Sequence, residues 1–447
     1  MLKKIRLKNF KLHEDTTIEA SRITAFIGPN NSGKSSIFQA LLALQQAAAD
    51  RQRTHLLDSF RRATTKEDQP YLYESSYGHK AVVELGEFGD VVRGGSGELQ
   101  IGLDAEISPT DPQGDAVEME GAARPSFDVH VRGNRLIAHE GTLSCFKGSI
   151  KWAWRQGLRA GNAQMPVGGG SPVALEFTPM DGFALLLASG ASGLGSGSLS
   201  RELTSLQRAL ADAPAQALRC FRHIPALRGF EEWAYPTTDF PGSENVDRLV
   251  LSDRAVALTN LLAGNAKLRN ELSERLKSLV GIGVDFENAP GHRTKVFAIP
   301  AKGGAPQTLF VNEGSGASQL PFILVPIALA KPGETILMSE PEAHLHPKAQ
   351  SQLTAMLLEI SRKAELQFFI ETHSEHVLHR LLHAVAKGEL AREELTIYYF
   401  ENKQGRAEAR RLRIDEQGGV EGGLPGFFDQ SLDELTEYLE ALKQPKK

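Results

Sequence analysis

Cysteine is almost missing from this chain. Two in 447 residues, Cys145 and Cys220, stand far apart and in no metal or redox spacing, which excludes a disulfide framework and points to a reducing compartment. Long hydrophobic runs are missing too. The longest, FILVPIALA from Phe322 to Ala330, is far short of the about 20 apolar residues a bilayer helix needs. The basic start, MLKKIRLKNFKLHEDTTIE, has no apolar core for a signal peptide. There is no internal repeat, no low-complexity domain and no long heptad segment. Excess charge of one sign is lacking as well, the formal net charge being −5. Any nucleic-acid contact must then come from a local basic patch. Candidates are Lys3 to Lys11, Arg51 to Arg62 and Arg406 to Arg413, each read first as a solvated face. What remains, 41% apolar and 23% charged residues, describes an ordinary globular protein with room for two to three domains. The expectation is a soluble, cytoplasmic chain with no membrane partner.

Near the N-terminus stands AFIGPNNSGKSSIFQALLAL, residues 25–44. Gly28 to Ser35 fits G-x-x-x-x-G-K-[ST] without a gap, between an apolar strand (Ile23 to Ile27) and an amphipathic helix carrying Ile37, Leu41 and Leu44. Gly28 and Gly33 allow the sharp turn that points backbone N–H groups at phosphates, and the positive end of the helix adds to the attraction. Lys34 is placed to bridge the outer phosphates and Ser35 to sit on Mg2+. Asn30, Asn31, Ser32 and Ser36 complete the set facing the nucleotide phosphates.

From about 80 to 180 the pattern changes to short alternating runs, KAVVELGEF, GELQIGLDAEI, SFDVHVRG and NRLIAHEG, separated by turn residues; these predict antiparallel strands. VGGGSP at 167 and ASGASGLGSGSLS at 188 read as flexible connections, the second marking a lobe boundary. From Ser252 to Val280, Leu268, Leu272, Leu276 and Leu279 recur at helical spacing, with Gly281 placed to stop the helix. VDFENAPGHRTKVFAIPAKGGAPQTLFV is strand-like again, followed by a buried strand ETILMSE, a helix with Pro347 in its first turn, and a second buried strand LQFFIET.

A phosphate loop alone does not choose among kinases, GTPases and motor ATPases. About 300 residues later comes TILMSEPEAHLHP (Thr335 to Pro347), a buried strand ending in acid, where a P-loop fold places its metal-side and water-activating carboxylates. This run resembles the extended Walker B and D-loop of ABC-type ATPases of the RecF, structural-maintenance-of-chromosomes (SMC) and overcoming-lysogenization-defect (OLD) group. NFKLH (Asn9 to His13) resembles that group's N-terminal element, and the match implies that Lys11 reaches the nucleotide. EGSGASQLP (Glu313 to Pro321) resembles its signature motif, FFIETHSEHVLHRL (Phe368 to Leu381) its switch-histidine strand, and YYFEN with GFFDQ its tail. The resemblance covers residues 1–48 and 310–430 and is weak between them. It implies Glu340 as the base for the attacking water, His373 at the γ-phosphate, and Glu342, His344 and His346 in the D-loop. It further implies a signature of Gly314, Ser315, Gly316, Ser318 and Gln319 serving the nucleotide of a second subunit, so that ATP holds two heads together and hydrolysis releases them. Standing alone, that segment reads as an ordinary Gly/Ser loop capping a helix from Ser318.

One position departs from the pattern. Most relatives carry two acids before the proline, whereas here the first, metal-side position is Ser339, which brings no charge. Shifting the register to make Glu340 the metal acid and Glu342 the base would need the strand to end differently, across Pro341. No Q-loop glutamine stands out; Glu84 to Val92 is a positional guess. Six of thirteen histidines (His344, His346, His373, His376, His379, His383) fall within forty residues, an arrangement that could ligate zinc, but no Cys and no H-E-x-x-H accompany them. Arg228, in IPALRGF, resembles a G-P-x-R element and is either a nucleotide or dimer contact or an ordinary surface arginine.

The reading is an α/β ABC-ATPase head: a P-loop sheet, an antiparallel β-subdomain and a helical lobe carrying the signature. Residues 1–195 form the first lobe, 196–330 the helical lobe and 331–447 the C-terminal lobe. Cofactors are ATP and Mg2+, with slow hydrolysis coupled to homodimerisation. The stretch after residue 400 is expected to be too short for a fused Toprim nuclease and has no Asp-x-Asp pair, so the expectation is a stand-alone regulatory ATPase; the resemblance implies that it works beside a separately encoded nuclease or other effector in anti-phage defence. A RecF-like DNA-repair ATPase, with DNA as partner, and a non-hydrolysing nucleotide-dependent scaffold are the alternatives; a transporter ATPase fits least.

Overall fold

Burial on one face decides the first sheet. In β1 (Leu2–Phe10), Leu2, Ile5, Leu7 and Phe10 are buried while the residues between them face out, the pattern of a half-buried strand. β1 pairs antiparallel with β2 (His13–Glu19) on one side and β4 (Glu98–Ala105) on the other. The meander continues through β5 (Arg124–Arg132), β6 (Arg135–Cys145), β7 (Gly148–Arg155), β8 (Gly161–Met165), β9 (Val173–Pro179) and β10 (Leu185–Leu187) to make nine strands. Three of the four predicted runs are strands here; the end of the fourth, KAVVELGEF, enters a helical turn, α2 (Phe88–Val91). The structure, a computed structural model, describes residues 1–49, 88–94, 97–106, 124–132, 135–145, 148–155, 161–165, 173–179, 185–187, 221–237, 251–301 and 306–423. The two Gly/Ser connections, the Arg51 to Arg62 patch, Cys220 and the first part of the Q-loop guess lie outside the described residues.

The second sheet is built from apolar runs buried on both faces. β3 (Ile23–Ile27), β16 (Thr335–Ser339) and β17 (Gln367–Glu371) are buried along nearly their whole length, as parallel strands covered by helices must be. The order is β11 (Phe221–Ile224), β16, β17, β3, β18 (Leu395–Lys403), β19 (Arg406–Arg411), parallel except for the final hairpin. This sheet draws strands from all three expected segments. α1 (Lys34–Ala49) follows β3, α6 (Pro347–Lys363) connects β16 to β17, and α7 (Glu375–Ala386) follows β17. Phe26 sits in an aromatic cluster, its ring centroid 5.5 Å from Phe400 and 5.8 Å from both Phe38 and Phe369. Gln367 joins the two sheets, donating to the Leu2 and Ser21 carbonyls and accepting from the Leu2 N–H, at 2.7 to 2.8 Å.

The predicted helix over Ser252 to Val280 is in fact two, α3 (Leu251–Gly264) and α4 (Ala266–Val280). Asn265 breaks the run because its extended backbone and side-chain bond to the Leu268 N–H start a new helix. Gly281 stops α4 as expected, in the left-handed conformation at φ 76°. A small sheet of β12 (Tyr235–Pro236), β13 (Ile282–Ala289), β14 (Arg293–Pro300) and β15 (Thr308–Leu309) carries the chain into α5 (Ser315–Ala328), which is buried along most of its length. Among the described residues no helix is long and apolar enough to cross a membrane. The basic residues of two candidate patches lie along ion-paired faces: Lys3 with Glu106, Arg6 with Asp104 and Asp128, Arg406 with Glu14, Arg411 with Glu19.

Candidate functional site

Parallel sheets present their ligand crevice at the carboxyl ends of the strands, and the motifs separated in sequence meet there. β3 delivers the phosphate loop, β16 delivers Ser339 and Glu340, and β17 delivers Glu371, Thr372 and His373. Gly28, at φ 134°, passes so close to the backbone of β18 that a Cβ would lie 2.2 Å from the Phe400 carbonyl oxygen; only glycine fits. Asn31, also left-handed at φ 58°, has its carbonyl held by Asn402 at 2.9 Å. Asn30 and Asn31 are exposed, while Ser32, Gly33 and Ser36 are buried.

His13 braces the loop from beneath. It is fully buried, its Nε2–H donates to the Gly33 carbonyl at 3.0 Å, and its Nδ1 accepts from the Thr16 hydroxyl at 3.0 Å. Burial lowers its pKa to about 4, so the ring is neutral near pH 7. Lys34 is also buried and donates to the carbonyls of Gly28 and Pro29 at 3.0 and 2.7 Å. Burial lowers its pKa, opposed by the carboxylates of Glu371 and Glu340. Lys11 sits at the β1–β2 turn and donates to Gln39 on α1 at 2.7 Å, one turn beyond the loop.

Glu340 ends β16 in the left-handed region, at φ 46°, a conformation costing a non-glycine residue about 1–2 kcal/mol. Two contacts hold it. Its N–H donates to the Glu371 carbonyl at 2.7 Å, and its own carbonyl accepts from Arg228 at 2.7 Å. Arg228 is therefore not an ordinary surface arginine: the guanidinium turns inward to bond the carbonyls of Pro225, Ser339 and Glu340, and burial lowers its pKa to about 10. The Glu340 carboxylate is half-exposed, 3.9 Å from His373 Nε2. Burial, then the charge of Lys34, lowers the pKa of His373 against the pull of Glu340.

The D-loop residues divide. Glu342 is buried and accepts from the Thr372 hydroxyl at 2.5 Å and the His373 N–H at 3.3 Å; burial raises its pKa. It ties the loop to the β17–α7 junction. His344 and His346 are exposed, and His346 caps α6 by accepting from the Lys348 N–H. The signature divides in the same way. α5 begins at Ser315, earlier than Ser318, and Gly314 and Ser315 are exposed at its start. Ser318 is buried and accepts from the Phe230 N–H at 3.0 Å, and Gln319 donates to the Ala343 carbonyl. Both are thus engaged inside their own chain, while the exposed start of the signature is left to Gly314 and Ser315. At Gly316 a Cβ would come within 2.4 Å of the His344 carbonyl oxygen, so the start of α5 packs directly on the D-loop. Here an open groove of about 510 Å³ is lined by Gly281, Gly314, Gly316, His344, His346 and Lys348 and includes no phosphate-loop residue. Of the remaining histidines, His376, His379 and His383 lie exposed along α7. Among the described residues no three His, Cys, Asp or Glu side chains form a metal-binding group.

Glu371 is the residue that sequence reasoning missed. It is 5% exposed, and its Oε1 accepts from Ser35 Oγ at 2.5 Å. Burial raises its pKa, opposed by the bonds from Ser35 and Ser339 and by the charge of Lys34. The signal was present: LQFFIET, like ETILMSE, is a buried strand ending in acid.

A model of the AAA ATPase domain matches residues 1–83 and 257–378, and one described as Protein of unknown function (DUF3696) matches residues 390–437. The DNA double-strand break repair Rad50 ATPase of Methanococcus maripaludis is 52% identical over 42 residues, which are 9% of this chain and 4% of that protein's length. Among solved structures, the SMC head bound to the C-winged helix domain of ScpA aligns with a TM-score of 0.46 at 14% identity, covering 92% of this chain and 98% of that one. The SMC head domain from Thermotoga maritima aligns with a TM-score of 0.40 at 14% identity, covering 92% and 99%. The ATPase-domain match and the short Rad50 match agree with the order of motifs: the chain is similar to ABC-type P-loop ATPases of the RecF/SMC group.

Proposed function

We propose that this chain binds and slowly hydrolyses ATP with Mg2+, closes in pairs over the nucleotide, and through that closure gates a separately encoded effector, a nuclease being the leading kind, in defence against phage. The observation that carries the reading is the convergence of Lys34, Ser35, Glu340 and His373 at the ends of three adjacent parallel strands. Lys34 and the loop N–H groups bind phosphates, and Glu340 is positioned as general base with its carboxylate open to a water. His373 stands beside it as a hydrogen-bond donor. Mg2+, when bound, offsets charge gathering on the phosphates; the oxygen donors of Ser35 and Glu371 fit it. Gly314 and Ser315, exposed at a helix start beside a groove without phosphate-loop residues, favour service to a second copy's nucleotide.

Light scattering after size exclusion, with phosphate release, on wild type and Glu340→Gln tests this. An ATP-dependent dimer, longer-lived in the variant with turnover lost, is expected. If both proteins bind ATP but neither changes size nor releases phosphate, the gated dimer is wrong and a nucleotide-dependent scaffold takes its place. The Rad50 likeness favours a second reading, a DNA-repair ATPase; salt-dependent DNA binding by the isolated protein would select it.

A further inference from the structure

The strand end where a metal-side carboxylate is expected carries an uncharged hydroxyl, Ser339, and the neighbouring strand carries a buried acid. β16 and β17 run parallel with Ser339 as the register partner of Glu371, and Glu371 pairs in turn with Phe26 of β3, the strand that feeds the phosphate loop. The acid is thus one strand nearer to the loop than position 339. The carboxylate meets Ser35 Oγ at 2.5 Å, the hydroxyl that this loop pattern turns toward Mg2+. At 5% exposure it is costly to keep charged unless paired or coordinated. A hydroxyl and a carboxylate are the hard donors Mg2+ takes alongside substrate phosphates.

We propose that Glu371 is the metal-side carboxylate of this ATPase, the charge having passed from the end of β16 to the end of β17, with Ser339 retained as a hydroxyl that orients it. The assignment rests on reading the phosphate loop as an ATP site. The competing role is a brace that ties Ser35 to β17 whether or not a cation is present. A brace fails equally in every solution, whereas a metal carboxylate fails only where metal is needed.

The experiment titrates a fluorescent ATP analogue into the full chain in EDTA and at rising Mg2+, and follows Mn2+ binding to the protein–nucleotide complex by electron paramagnetic resonance. For Glu371→Gln we expect wild-type affinity in EDTA, and a metal requirement raised by about tenfold or more. Ser339→Asp combined with Glu371→Gln returns the charge to β16 and should recover the metal dependence. Should the Gln variant not fold, Glu371→Asp keeps the charge but shortens its reach, and a smaller rise in the metal requirement is expected. The assignment is overturned if the variant holds Mn2+ as wild type does, or if its nucleotide affinity falls equally in EDTA and Mg2+ with no recovery in the double variant. Wild type that binds no analogue in either solution refutes the ATP site itself, and this assignment with it.

Discussion

Replacing Arg228 with Met tests whether the end of β16 is held by one buried cation. The guanidinium donates to the Ser339 carbonyl at 3.0 Å and the Glu340 carbonyl at 2.7 Å, and also reaches the carbonyls of Pro225 and Ala226. A hydrogen bond from a charged donor is worth about 1.5–3 kcal/mol net, so the two to the strand end amount to roughly 3–6 kcal/mol. Against this stands the cost of burying the cation, whose direction is seen in a pKa lowered to about 10. Methionine fills much the same space and removes that cost, leaving a net loss of about 2–4 kcal/mol. Glu340 then loses one of the two contacts that keep it at φ 46°, so phosphate release should fall more than ATP binding does. Urea denaturation gives the first quantity; turnover and nucleotide titration give the others. A variant as stable as wild type, with unaltered turnover, would refute the reasoning, because the buried carbonyls would then have found other donors at no cost.

Two further outcomes follow from packing and charge. His13 has a pKa of about 4 in the fold and 6.5 as its ordinary value, so the unfolded chain takes up the proton first. Stability is fully present above pH 6.5 and is lost as pH falls toward 4, by about 2 kcal/mol at pH 5. The gap between denaturant midpoints at pH 7.5 and 5 should narrow in His13→Gln without closing, because His223, held at about 3, keeps an acid sensitivity of its own; a gap as wide as in wild type would refute the role given to His13. Gly316→Ala places a methyl 2.4 Å from the His344 carbonyl, which costs about 1–3 kcal/mol and shifts the start of α5 against the D-loop. Its monomer should still bind ATP while ATP-dependent pairing weakens, and wild-type pairing by light scattering would show that this contact is not critical.

Local chemistry alone identified the phosphate loop, since the strand, the glycines, Lys34, Ser35 and the helix are contiguous and their roles depend on near neighbours. The same holds for the alternating strands β4 to β6, the Gly281 stop and Pro347 at the start of α6. The break at Asn265 was legible in principle, but leucine spacing outweighed a single capping residue. Strand order lay beyond the sequence, because parallel neighbours are joined by crossovers and no local signal says which strands touch. That order puts Glu371 between Ser339 and the phosphate loop, turns Arg228 inward onto β16, and buries Ser318 while leaving Ser315 exposed. Sequence by itself determined the phosphate-loop pattern and which segments carry the motifs; only the tertiary structure decided which carboxylate stands beside Ser35, since that depends on strand register and burial rather than on position along the chain.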